Sequence, residues 1–281
     1  MQFDEWIGRT HEAEDVLTAG LFARYRATIG CSQQTATAPP GIHWCLCLPD
    51  TPIDELGVDG HPQKGGFLPP VPFPRRMWAM SRVKFLHPLS VGDRVHRRST
   101  IKSVTPKTGA SGNMVFLEVE HVTRVNDTLA VEEIQTIVYR DAATAAAVLP
   151  TESELANRDG VERDTIVPTA PLLFRYSALT FNTHRIHYDS DYAQSEEGYP
   201  RPVVQGPLMA SLLLHFASKR LNGVPIRNFA FRGKSPAYCG QPLHLEFRPD
   251  EGQGMALEIL GPDGNVVMTG SLATADPRAE G

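Results

Sequence analysis

Within eight residues the chain places Asn182, His184, Arg185, His187 and Asp189. Imidazoles titrate near neutral pH and can take and return protons. An asparagine amide cannot take a proton, but it can orient a water or a carbonyl. Asp189 lies two residues beyond His187, and in an extended segment it would share that face and could orient an imidazole. Beyond a Pro-rich bend, Val203-Val204-Gln205-Gly206-Pro207-Leu208 delivers Gly206 to the start of an apolar stretch. A glycine N–H at a helix N-terminus can hold a developing oxyanion. Proton-handling groups beside an oxyanion site point to chemistry on an acyl carbonyl compound. His187 is the expected base or proton relay, His184 could share that work, and Tyr176 and Tyr188 are expected to be packing aromatics.

These groups need a helix and a sheet to hold them. Pro207 suits a first helical turn, Asn222-Gly223 a stop, and Leu208, Leu212 and Phe216, with Met209 and Leu213, form an apolar stripe of helical period. The sequence therefore predicts a helix from about Pro207 to Leu221. A shorter counterpart is expected near Pro40 to Leu48. Met114 to His121 and Leu129 to Arg140 flank Asn126-Asp127, while Met255 to Leu260 and Val266 to Thr274 flank Pro262-Asp263-Gly264-Asn265. Alternating apolar residues around such turns signal hairpins.

The halves look like a diverged tandem repeat. Pro88 and Gly92 recur as Pro236 and Gly240, 148 positions on, and Arg24-Tyr25 recurs as Arg175-Tyr176, 151 positions on. The expected organisation is a first repeat over 1–140, a polar linker over 141–164 and a second repeat over 165–281. From Tyr176 to Pro207 there are 31 residues, against 15 from Tyr25 to Pro40. The extra length holds the histidine motif, so the second half is expected to be catalytic and the first to build the pocket.

The 281 residues suffice for one large domain or two similar ones. A net charge of −5 argues against nucleic acid as the main partner, and no apolar run reaches the roughly 18 residues of a membrane span. Met1 to Trp6 carries no signal-peptide pattern, so a cytoplasmic location is the expectation. Cys31, Cys45, Cys47 and Cys239 offer no paired zinc spacing, even with His43 near two of them, and are expected to be reduced thiols. No metal and no separate cofactor are expected.

Phe181-Asn182-Thr183-His184-Arg185-Ile186-His187-Tyr188-Asp189, with Gly206 following, resembles the MaoC-like hydratases and dehydratases of the hot-dog fold. Their motif runs Gly-Asp-x-Asn-Pro-x-His-x-Asp. His187 matches the family histidine and Gly206 the oxyanion-hole glycine, whereas the family's catalytic aspartate falls on Asn182. Leu68 to Ala79 and Val131-Glu132-Glu133-Ile134-Gln135 are similar to a double hot-dog subgroup that includes type 2 hydroxyacyl-thioester dehydratases and the mesaconyl-CoA and itaconyl-CoA hydratases. The resemblance implies an α+β double hot-dog, each repeat a long helix wrapped by an antiparallel sheet. It also implies a hydro-lyase adding water to a short dicarboxylic enoyl-CoA, itaconyl-CoA or the related mesaconyl-CoA, to give citramalyl-CoA. Alternatives are a 3-hydroxyacyl-thioester dehydratase of fatty-acid synthesis, a hot-dog thioesterase, or a non-catalytic acyl-thioester binding protein.

The expected partner is a small acyl-CoA, with coenzyme A part of the substrate, and a homo-oligomer is open. Arg75, Arg76, Arg185, Arg232 and Lys234 are candidates for its phosphates and carboxylate. Arg75 and Arg76, adjacent in a Pro-rich apolar stretch, rank first for the acyl carboxylate.

Overall fold

A computed structural model describes residues 3–32, 35–109, 112–142, 145–250 and 254–275. The first half runs β1 (Thr10–Val16), α1 (Ala19–Ile29), β2 (Arg75–Phe85), β3 (Arg94–Gly109), β4 (Gly112–Val125) and β5 (Thr128–Arg140). The second runs β6 (Glu162–Ile166), α2 (Ala170–Thr180), α3 (Ser190–Ser195), α4 (Gly206–Arg220), β7 (Ile226–Gly233), β8 (Leu243–Pro249), β9 (Met255–Leu260) and β10 (Val266–Thr274). All ten strands join one antiparallel sheet in the order β1-β3-β4-β5-β2-β7-β10-β9-β8-β6. Read from either edge, the order is the same under exchange of β1, β2, β3, β4 and β5 for β6, β7, β8, β9 and β10. The duplication is thus written into the topology, and its axis falls on the β2–β7 seam, where Arg82 pairs with Ala230. This is an α+β double hot-dog.

The expected hairpins form. Val125 pairs with Thr128 across Asn126 and Asp127, whose φ values of 46° and 67° suit the right-handed twist of the flanking strands. The second hairpin turns at Gly264, with φ of 77°. The expected linker enters β6 at Glu162; residues 143 and 144 of it, and 276–281 of the second repeat, lie outside the described residues.

α4 begins one residue before the expected start and buries more than a stripe: ten of its residues, Pro207 to Leu214 with Phe216 and Ala217, are buried. A helix apolar on every side belongs in a core, here wrapped by the sheet and by α1 and α2. Tyr176 of α2 meets Ser211 of α4 at 3.2 Å, and Tyr25 of α1 donates to the Pro40 carbonyl at 3.2 Å; both tyrosines are fully buried.

The first half differs from expectation. Where a counterpart of α4 was expected near Pro40 to Leu48, there is only a 3-10 turn over Ile42–Cys45. Two causes are visible. Side chains take the backbone groups that a longer helix would use: Asp15 accepts from the Cys47 N–H at 2.9 Å, and Arg97 donates to the Leu46 carbonyl at 3.1 Å and to that of Cys47. Cys47 itself turns to φ of 52°, and Pro49 follows. The first half's α-helix is α1, earlier in the chain, matching α2 at the 151-residue offset already seen for Tyr25 and Tyr176.

Beneath that turn lies a buried polar network. Glu133 accepts from Ser81 Oγ at 2.5 Å and from Trp44 Nε1 at 3.1 Å, with His43 Nε2 at 3.5 Å. Burial alone would raise the Glu133 carboxyl, yet His43, His121 and Ser81 hold it below the usual range. His121 bonds Ser99 Oγ at 2.8 Å and Gln135 Oε1 at 3.2 Å. Burial, with the charges of Arg97 and His43, pulls its imidazole down to about 4 against the opposing pull of Glu133.

The unfolded chain protonates His121 below about pH 6.5, whereas the folded chain does so only near 4, so stability falls as the pH drops through that window. Urea unfolding of wild type and His121→Gln at pH 7.5 and 5.5 should show the variant losing about 1 kcal/mol less across the interval. Equal losses would contradict a neutral His121 in the folded chain.

Candidate active site

The motif segment leaves α2 through Phe181, in the left-handed region at φ of 48°, and makes a 3-10 turn over Arg185–His187 before α3. Asn182 shapes this bend, its Oδ1 accepting from the His184 N–H at 3.0 Å. His184 and His187 are both buried, their rings edge to face with centroids 5.3 Å apart. His187 Nδ1 lies 2.7 Å from the Val203 carbonyl. A carbonyl only accepts, so Nδ1 carries the hydrogen and Nε2 the lone pair. Burial, reinforced by the neighbouring His184, lowers the His187 pKa to about 3. It is a neutral acceptor at physiological pH.

The first half reaches into this motif. The loop after the 3-10 turn Ile53–Glu55 is closed by Leu56 bridging to Pro62 and by the Gly57 N–H donating to the His61 carbonyl at 2.7 Å. Its tip docks on the motif through backbone: the Asp59 carbonyl accepts from the Arg185 N–H at 2.9 Å, and Thr183 Oγ1 donates to the Gly60 carbonyl. Gly60 has φ of +86°, and a Cβ there would lie 1.9 Å from the Thr183 carbonyl oxygen. Only glycine fits. The loop sets the His61 ring 4.1 Å from the His184 ring, centroid to centroid. Asp59 Oδ2 meets His61 Nδ1 at 3.0 Å, and Asp59 Oδ1 accepts from the His61 backbone N–H at 3.0 Å. Burial would raise the Asp59 carboxyl, but the His61 hydrogen bonds and the Arg76 charge bring it well below the carboxylate range. Burial lowers His61, with help from Arg76 and His184 against the pull of Asp59.

Gly206 opens α4 after Gln205, whose amide donates to the Leu173 carbonyl and to Ser177 Oγ, both at 2.9 Å. The amide thereby ties the helix start to α2, and the first-turn N–H groups have no partner within the helix. Gly206 packs against the Trp78 carbonyl of β2, as Gly233 of β7 packs against that of Ala79. The start of α4, the end of β7 and the β2 bulge at Trp78–Met80 therefore share one stretch of the seam.

Other expected site residues are placed differently. Asp189 orients no imidazole: Oδ2 takes Arg185 at 2.7 Å, and Oδ1 caps α3 by accepting from the Tyr192 N–H at 3.0 Å. Arg185, so paired, also lies over the Tyr192 ring at 4.2 Å and reaches the Val58 carbonyl, fastening the docked loop. Arg75 is buried against Glu197, at 3.1 Å from Nε to Oε2, and over Tyr199, which commits it to the fold rather than to a substrate carboxylate. Arg76 lies near enough for its charge to act on Asp59, His61, Lys64 and Tyr139. Among the described residues it has no ion pair. Arg232 and Lys234 are exposed at the end of β7. Tyr176 is fully buried and Tyr188 half-exposed, donating to the Thr183 carbonyl.

Asp59, His61 and Glu197, which lies 3.6 Å from His184, were not singled out from the sequence. The Asp-Gly-His run at 59–61 was the available signal, since an aspartate two residues before a histidine in a glycine turn can hold its ring. Among the described residues, Asp59, His61 and His184 are also the group whose ligand atoms lie close enough for a metal, within 4.8 Å of one another. The Asp59–His61 hydrogen bond and the contact between the His61 and His184 rings bring these groups together. The four cysteines are free thiols, and burial pushes Cys45 up to about 12. No helix among the described residues is long and apolar enough to cross a membrane.

The double hot-dog fold carries a histidine motif in the segment that leads into the α4 N-terminus at Gly206. Residues 41–239 match the family described as hydroxyacyl-thioester dehydratase type 2, and the chain belongs to that family of enzymes. It is 43% identical over 272 residues, 95% of this chain and 96% of the relative, to a mesaconyl-C(4)-CoA hydratase of Chloroflexus aurantiacus. A MaoC-like dehydratase of Phytophthora capsici superposes with a TM-score of 0.69 at 15% identity, covering 96% of each chain. A double hot-dog protein of Mycobacterium tuberculosis superposes with a TM-score of 0.63 at 13% identity, covering 95% of this chain and 96% of its own.

His187→Ala should lower kcat for thioester hydration by about a hundredfold, the usual scale for one acid–base group. The measurement is steady-state turnover in a variant that unfolds cooperatively, and near-normal kcat would remove His187 from the chemistry.

Proposed function

We propose that the protein hydrates a short dicarboxylic enoyl-CoA, with mesaconyl-C(4)-CoA and itaconyl-CoA as candidate substrates and citramalyl-CoA as product. The observation that carries this reading is Arg76, a cation on the site side of β2 beside Asp59 and His61, with Lys64 near it. A neutral acyl chain has no group to pair with a guanidinium, whereas a distal carboxylate can bond one in forked geometry. The 43% identical relative, named for a thioester of this kind, supports the same choice.

The reaction adds hydroxide to the β-carbon and a proton to the α-carbon of a double bond conjugated with the thioester. Negative charge collects on the thioester oxygen as the carbon–oxygen bond forms. The Gly206 N–H, at the positive end of α4, is the proposed donor to that oxygen, and its worth rises as the charge develops. His187 Nε2 accepts from the attacking water. Arg232 and Lys234, exposed on the same stretch of seam, are the proposed contacts for coenzyme A phosphates.

The 3-hydroxyacyl-thioester dehydratase of fatty-acid synthesis runs the same steps in reverse, and the family description favours it as the second reading. Arg76 separates the two. Arg76→Ala should cost about 2–5 kcal/mol in kcat/KM for mesaconyl-C(4)-CoA and far less for crotonyl-CoA, which has no carboxylate to lose. Arg75→Ala should instead impair both thioesters and the fold, because it strands the Glu197 carboxylate. Equal losses for Arg76→Ala on both thioesters would return Arg76 to structure or coenzyme A binding. Turnover confined to long neutral chains would assign the protein to fatty-acid chemistry.

A further inference from the structure

Hydration removes a proton from water and delivers one to carbon. The motif segment supplies the Nε2 lone pair of His187, and Asn182 stands where the family's motif has its aspartate. The amide oxygen of Asn182 is spent on the His184 backbone. The carboxylate missing from the second half is present in the first. We propose that His61, held by Asp59 and delivered by the docked loop of the first half, is the second acid–base residue of this site. This rests on the hydratase reading and assigns a residue to it.

Three observations support the assignment. Asp59 Oδ2 holds His61 Nδ1 at 3.0 Å. The carboxylate is a pure acceptor, so the ring hydrogen is on Nδ1 and the lone pair on Nε2, the tautomer a base needs. The His61 ring lies against that of His184 at 4.1 Å, tilted by 41°, and His187 meets His184 at 5.3 Å, so the three imidazoles form one cluster. The side chains of Asp59 and His61 are also not what docks the loop. Docking is carried by the Asp59 carbonyl on the Arg185 N–H and by Gly60 against Thr183. His61 keeps about a fifth of its side-chain surface open, whereas His184 keeps 7%.

In the hydration direction the water donates one hydrogen bond to His187 Nε2 and loses its other proton to His61 Nε2 as its oxygen bonds to the β-carbon. The double-bond pair moves toward the thioester carbonyl. The His61 imidazolium is paired with the Asp59 carboxylate, whereas the corresponding nitrogen of His187 faces only the Val203 carbonyl. That difference puts the mobile proton on His61. His61 then returns it to the α-carbon as the carbonyl re-forms. One water is consumed, and no oxidant or further reactant takes part. Asp59 is a positioning residue, acting through His61.

The test measures kcat and KM for mesaconyl-C(4)-CoA and crotonyl-CoA in wild type, His61→Ala, His61→Gln and Asp59→Asn, with and without added imidazole. The expected result is an active wild type and a kcat lower by about a hundredfold in both His61 variants at near-constant KM. Added imidazole should restore part of the rate in His61→Ala but not in His61→Gln, where the cavity is filled. Asp59→Asn should lose less than His61→Ala. His61 variants within a few-fold of wild-type kcat would overturn the proposal while leaving the hydratase reading intact. A loss that imidazole does not rescue, or that appears only in KM, would overturn it in favour of a structural clamp. Loss of wild-type activity on chelation would assign Asp59, His61 and His184 to a metal and overturn it too. A wild type inactive on every enoyl thioester would overturn the underlying reading and the proposal together.

Discussion

The contact between Gly60 and the Thr183 carbonyl is the constraint on which the site depends. The two halves are joined continuously through the β2–β7 seam, but a sheet seam alone does not bring loops from opposite halves into register. That is done where the 56–63 loop lies on the motif, backbone against backbone, at a distance that excludes any side chain at position 60. The loop docks with its own main-chain groups, so the side chains of Asp59 and His61 are not consumed in holding it. Asp59 faces His61, His61 faces His184, and Arg185 closes the far side by bonding both Asp189 and the Val58 carbonyl.

The asymmetry of the duplication follows from the same economy. The second half keeps its long helix, and the N-terminus of that helix carries the proposed oxyanion donor, Gly206. The first half replaces its counterpart with a 3-10 turn, pinned by Asp15 and Arg97, and turns His43 and Trp44 onto the buried Glu133. A buried carboxylate is costly unless its lone pairs are used. Glu133 has Ser81, Trp44 and His43 for that purpose, and Ser81 lies on β2 beside the seam. One half is thus specialised to hold the seam and present a loop, the other to present the motif.

Much of this was legible in the chain. Turn chemistry fixed both hairpins, because Asn-Asp and Gly264 adopt backbone angles that few other residues tolerate. Pro207 and Asn222-Gly223 bounded α4 to within a residue. The histidine motif and Gly206 were readable because their residue types are unusual together. What could not be read was which side chains are already engaged. Arg75 and Arg76 are adjacent and alike in sequence, yet alternate faces of β2 send one to Glu197 and leave the other by Asp59. Asp189 looked available for an imidazole and is consumed by a helix cap and Arg185. Asp59 and His61 lie more than 120 positions from the motif, and only the fold makes them its neighbours. The 3-10 turn was missed for a related reason, since the groups that arrest it come from β1 and β3.

The central claim is that the active site is assembled by the docking of a first-half loop onto a second-half motif. The most direct measurement is kcat for enoyl-CoA hydration by Gly60→Ala, alongside its unfolding curve. The methyl group must displace the loop tip from Thr183, so the account predicts a protein that still unfolds cooperatively and turns over about a hundredfold more slowly, the scale of a roughly 1 Å misplacement. A folded Gly60→Ala enzyme with wild-type kcat would contradict it.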